Sequence, residues 1–131
     1  MRYLFLLALG WSIAFSSCQK RTSVDAVPGL WRVASIQALG EASQSAEAEY
    51  ILNFEEDGNL LFRLDVNDCG GSYQLPAPGR IRIERLVCTR ICCDSPFALQ
   101  LIQLLPAADS YELQGNQLTL SGAEGVVRLV R

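Results

Sequence analysis

The chain has 131 residues, of which 11 are basic, 14 acidic and none histidine, a formal charge of −3 at pH 7. That length suits one modest domain, and the acidic balance argues against a nucleic-acid partner, because phosphate contacts need clustered Lys and Arg. The lack of histidine removes the Ser-His-Asp and Cys-His arrangements and most catalytic zinc sites.

The first 17 residues stand apart from that domain. Arg2 precedes an apolar run from Tyr3 to Phe15, and small Ser16 and Ser17 follow. This is the charged, apolar and small-residue layout of a secretory signal. The run is short for a bilayer span, which takes about 20 residues. Cys18 comes next, and "FSSC" resembles a bacterial lipobox, with Phe15 where Leu is usual. The resemblance implies that residues 1–17 are a lipoprotein signal peptide. It implies also that Cys18 is lipidated, becomes the mature N-terminus and has a membrane as its partner. Gln19, rather than Asp, beside that Cys implies the outer membrane, with the domain facing the periplasm. The plainer alternative is an ordinary signal cut that leaves Cys18 a free thiol.

Residues 18–28 read as a tether. They are polar and aperiodic, and ten residues reach at most ~35 Å. The domain therefore stays near the membrane, with the acyl chains as the anchor and Lys20 and Arg21 close to the headgroups. Without residues 1–17, which hold only Arg2 as a charge, 10 basic and 14 acidic side chains remain, a formal charge of −4.

From residue 29 to 131 the pattern is that of short strands and one helix. Leu30–Gln37 alternates, with Trp31, Val33 and Ser35 on one face. A polar loop follows. Tyr50–Phe54 and Asn59–Asn67 flank "EEDG", a hairpin signal. In the second of these strands Leu60, Phe62, Leu64 and Val66 share one face. "GSYQL" is a further strand, closed by a "PAPG" turn. "RIRIERLV" sets Ile81 and Ile83 inward and Arg80, Arg82 and Glu84 outward. Tyr111–Arg131 reads as three strands, with turns at Gln114–Asn116 and Gly122–Gly125. The helix lies in "DSPFALQLIQLLPAA". Asp94 or Ser95 can cap it and Pro96 suits its first position. Phe97, Leu101, Leu104 and Leu105 form one apolar stripe, and Pro106 ends it near Leu105. The expected fold is α+β: a curved antiparallel sheet or partial barrel of seven to eight strands, with one helix packed on it.

Few residues offer chemistry. Glu55, Glu56 and Asp57 sit at a hairpin tip, where solvation explains them. "NDCGGSY" has paired glycines but lacks the P-loop Lys. Arg80, Arg82, Arg85 and Arg90 could clasp an anion, but Glu84 continues that face and opposes one. These patterns point to no enzyme and no cofactor.

Four cysteines remain: Cys69, Cys88, Cys92 and Cys93. In an exported domain this small, disulfides are expected. Four cysteines allow three pairings. A bond between neighbours Cys92 and Cys93 is strained and is set aside. This leaves 69–93 with 88–92, or 69–92 with 88–93. A thiolate cluster for Cu(I) or Zn(II) is the metal alternative, but the spacing is not the usual C-x2-C.

The stretches "GLWRVASI", "NDCGGSY", "TRICCDSPFALQLIQLL" and "YELQGNQLTLSGAEGVVRLVR" together resemble the META, or HslJ-like, domain of bacterial envelope lipoproteins. Trp31, Cys69, Gly71, Tyr73, Thr89 and Cys93 fill the matching places. The chain departs from the pattern at Asn67, which precedes Cys69, and in its extra Cys88 and Cys92. The resemblance implies a 69–93 bridge, with 88–92 as the second. For function it implies a non-enzymatic, membrane-tethered envelope lipoprotein that acts through an envelope protein partner, in envelope stress tolerance. "GLW" followed by strands is also similar to lipocalin-like lipoproteins, which hold a small apolar ligand.

Overall fold

A computed structural model describes residues 26–131. The stretch read as a signal peptide, Cys18 and most of the stretch read as a tether lie outside the described residues. Nine strands and one helix follow in the order β1 (Gly29–Ala38), β2 (Gln44–Ser45), β3 (Ile51–Phe54), β4 (Asn59–Arg63), β5 (Asp68–Gln74), β6 (Arg82–Cys88), α1 (Pro96–Ala107), β7 (Ala108–Gln114), β8 (Gln117–Gly122) and β9 (Gly125–Val130). The fold is α+β, as the patterning predicts. Eight strands form one antiparallel sheet in the order β6-β5-β4-β3-β1-β9-β8-β7, and β2, read from sequence as loop, adds a short pairing to β1.

The sheet curls until its edges meet at one end. Arg80, just before β6, bridges Ser110 of β7. Ile81 N–H donates to Asp109 O at 3.2 Å, and Tyr111 N–H donates to Gly79 O at 2.9 Å. Inside the curl Trp31, Leu52, Phe54, Leu60, Leu118 and Leu129 are fully buried. The α1 stripe adds Ala98, Leu101, Leu104 and Leu105, packed against β6, β9, β1 and β8.

Three local expectations are corrected. First, β1 carries a bulge between Val33 and Ser35 in its pairing with β9. The extra residue shifts the alternation, so Ile36, not Ser35, is buried beside Trp31 and Val33. Second, β4 stops at Arg63 and does not run to Asn67. Residues 64–67 form a tight loop, with Leu64 N–H donating to Asn67 O at 2.8 Å. The inward residue at its end is Asn67 in place of Val66. Third, α1 passes through Pro106 and ends at Ala107. Proline lacks a donor but holds a helical φ, so one more residue fits before the chain turns into β7. There a Cβ on Gly122 would overlap the Ala107 carbonyl. Glycine at 122 is what lets the helix end dock on the β8–β9 turn.

Candidate functional site

The densest polar cluster joins the β4–β5 loop to the segment between β6 and α1. Asn67 is its hub and the buried polar residue of the described core. Its Oδ1 accepts from Thr89 Oγ1 at 2.8 Å and from Ile91 N–H at 2.7 Å. Its Nδ2 donates to Ile91 O at 2.8 Å and to the Asp94 carboxylate. A side-chain amide has two donors and an acceptor with two lone pairs, so Asn67 is fully used. Thr89 Oγ1 also accepts from Asp68 N–H at 3.1 Å.

A second layer fixes the helix start. Asp94 Oδ1 accepts from Val66 N–H at 2.9 Å. Asp65 Oδ2 accepts from Ser95 N–H at 2.8 Å, and Tyr50 OH donates to Asp65 Oδ1 at 2.7 Å. Ser95 is the N-cap: its Oγ accepts from Ala98 N–H at 3.2 Å. Tyr50 stacks on Phe97 with ring centroids 5.4 Å apart.

The electrostatics match this wiring. Burial pushes the Asp94 carboxyl up, but donors from the Asn67 side chain and the Val66 and Asn67 amides outweigh it and hold it below its ordinary value. For Asp65, burial again raises and the Ser95 and Tyr50 donors lower, with a net depression. Burial first, then Asp65, raises the Tyr50 hydroxyl. Both carboxylates therefore stay ionised at neutral pH, each held by two hydrogen bonds from protein donors.

The same loop roofs a groove of about 840 Å³ between β6 and α1. Leu64, Leu86, Leu99 and Ile102 supply apolar lining, and Val87 and Ile91 are exposed at its lip.

The cysteines correct the expected bridges. Cys69 pairs with Cys88, with S–S 1.99 Å and Cα atoms 4.1 Å apart, and Cys92 pairs with Cys93. Neither 69–93 with 88–92 nor 69–92 with 88–93 forms. The reason is register: Cys88 lies within β6, directly opposite Cys69 of β5. That leaves Cys92 and Cys93 to each other on the exposed loop.

The other motif residues serve the frame. Trp31 Nε1 donates to Val27 O at 2.7 Å, and Arg131 lies over its ring at 4.1 Å. Tyr73 OH donates to Glu55 O at 2.6 Å. A Cβ on Gly71 would lie 2.9 Å from Glu84 O, at the bulge where β6 fits Arg85 and Leu86 against it. Arg82 and Glu84 pair at 3.7 Å and are solvated, and Arg90 is exposed on the loop. Sequence reasoning missed the joint work of Tyr50, Asp65 and Asn67. The available signal was the polar "DVND" interrupting an apolar alternation.

A family model described as META domain matches residues 25–131. No curated protein matches the chain. Among solved structures, the chain is similar to an NMR structure of a protein from Burkholderia xenovorans, with TM-score 0.64 and 16% identity over 79% of this chain and 81% of that one. It is similar also to a crystal structure of a DUF4847 family protein from Bacteroides vulgatus, with TM-score 0.63 and 13% identity over 82% and 96%. A further NMR structure gives TM-score 0.59 and 22% identity over 78% and 87%. At these identities the likeness is one of fold.

Proposed function

The chain belongs to the META domain family, and on that premise we propose that it is a non-enzymatic lipoprotein of the cell envelope. It is tethered to the outer membrane through Cys18, faces the periplasm and acts through protein contacts in envelope stress tolerance. The observation that carries this reading is how the corner spends its polar groups. Asp65, Asp94, Asn67 and Thr89 give their hydrogen bonds to backbone and to one another. A general acid or base needs a free proton site near a substrate, and these carboxylates are committed to holding a loop. What that loop holds is a groove with an apolar lining, a shape suited to a protein segment.

Two rival readings have less support. A lipocalin-like carrier needs an unfilled interior, and here Trp31, Phe62 and the α1 stripe occupy it. A thiolate metal site needs free thiols, and the four cysteines of the described domain are in disulfides.

The test is made in intact cells. Labelled palmitate should enter the wild type and not Cys18→Ala. A photo-crosslinking amino acid at Ile91 or Leu99 should give one discrete protein adduct, absent when it replaces Glu112. Cells lacking the protein should be more sensitive to detergent. An acylated protein without any groove adduct would sink the contact reading.

A further inference from the structure

We infer that one outer face of the sheet, the row Leu30–Leu61–Val87, lies against the lipid surface that holds the anchor. The inference rests on the tether reading above and adds which side of the domain meets the bilayer.

The row follows from register. Leu30 opposes Asn53, Asn53 opposes Leu61, Leu61 opposes Gly70, and Gly70 opposes Val87. These five residues form one cross-strand line over β1, β3, β4, β5 and β6. They point away from the core, because their chain neighbours Trp31, Leu52, Leu60 and Cys69 are buried in it, and Leu86 and Cys88 on either side of Val87 pack against it. The three large members are exposed at 61%, 44% and 71% for Leu30, Leu61 and Val87. Strands lie about 4.8 Å apart, so the line is roughly 19 Å long.

Of the two intervening positions, Gly70 adds no polar group and Asn53 adds a side-chain amide. Gly70 has no side chain, and Leu61 leans over it: a Cβ there would lie 3.3 Å from Leu61 Cδ2. The Asn53 amide is drawn along its own strand to Glu55, at 3.5 Å. On a solvated outer sheet face such positions are ordinarily polar. A contiguous exposed apolar line marks an interaction surface.

Three observations choose lipid over protein. The chain enters the described fold at Ala26, four residues before Leu30, so the row begins where the tether ends. The large exposed members of the row are all aliphatic, whereas the anchors of protein interfaces are chiefly Trp, Tyr and Arg. One flank carries Arg32, two residues beyond Leu30, and Arg63, two residues beyond Leu61, and cations there suit headgroup phosphates. Asp68 shares that flank and pairs with Arg63 at 3.4 Å. The opposite flank carries Glu55, Asn59, Ser72 and Glu84, the last paired with Arg82 at 3.7 Å, and would tilt towards water.

The test uses the full chain in a bacterium that processes lipoproteins. A photo-crosslinking residue replaces Leu30 or Leu61, since Val87 also borders the groove beside α1, with exposed Glu112 of β7 as the control. Acylation is read first, from palmitate incorporation in each variant. In acylated protein we expect phospholipid adducts from positions 30 and 61 and none at 112. Protein adducts alone at those two positions, or lipid adducts equal to those at 112, overturn the inference and leave the tether intact. Absence of acylation overturns the tether reading itself and this one with it.

Discussion

Thr89 donates its hydroxyl to Asn67 Oδ1 at 2.8 Å and accepts the Asp68 amide on the same oxygen. One side chain thus ties the end of β6 to the start of β5, and Asn67 extends the tie to Ile91 and Asp94. Asn67→Ala leaves the Ile91 N–H and C=O and the Asp94 carboxylate without their partner. Urea unfolding should show a loss of about 2–3 kcal/mol. Thr89→Val, which keeps the shape, should cost about 1 kcal/mol. A change within error for Asn67→Ala would remove it from the centre of this corner.

Stability should fall on the acid side. The carboxyls of Asp65 and Asp94 are depressed in the folded chain. A depressed carboxyl contributes stability above its unfolded value, about 3.9, and loses it as pH falls through the folded value. Their contribution should be fully present above about pH 5 and decline below about pH 4. The deficit of Asp94→Asn relative to wild type should shrink as the pH drops. A deficit that is constant from neutral pH to acid would contradict the assignment.

Tryptic mapping under non-reducing conditions separates the disulfide patterns. Cleavage after Arg80, Arg85, Arg90 and Arg128 places Cys69, Cys88 and the Cys92–Cys93 pair on three peptides. The Cys69 and Cys88 peptides should be joined, and the peptide beginning at Ile91 should be free but lack two hydrogens. All three peptides joined would restore one of the crossed pairings. Replacing Cys69 and Cys88 by Ala should cost about 3 kcal/mol, for a loop of some 20 residues.

Arg85 holds φ at +56° in the β6 bulge, a region that costs a residue with a Cβ about 1–2 kcal/mol. Arg85→Gly removes that cost but adds the entropy of glycine. The net expectation is a gain of up to about 1 kcal/mol. A clear loss in thermal unfolding would mean that the Arg85 side chain makes contacts of its own.

Tyr111 is buried, and its hydroxyl lacks a partner among the described residues. Tyr111→Phe should raise stability by about 1 kcal/mol, since an unpaired buried hydroxyl is costly. A drop in the urea midpoint would count against this.

Local signals carried much of the fold. The Asp-Gly hairpin is present, with Gly58 at φ +92°. The Pro-started helix, the first strand and the three final strands are all present, though the alternation of β1 holds only as far as its bulge. The candidate site was less legible. Thr89 was visible as a motif residue, but its role depends on Asn67, which reads in sequence as one more polar residue at a strand end. Its value comes from burial, and burial belongs to the assembled chain.

What the sequence determined by itself is period and punctuation: where strands alternate, where glycine turns them, where Ser95 and Pro96 start the helix. What only the tertiary structure decided is who faces whom. Cys88 meets Cys69, and Leu30, Leu61 and Val87 fall in line, because of pairings between strands far apart in the chain. One extra residue in a bulge, or a loop of four residues where a longer strand was read, shifts every later partner. Packing of the core selects among those registers, and no local pattern records the choice.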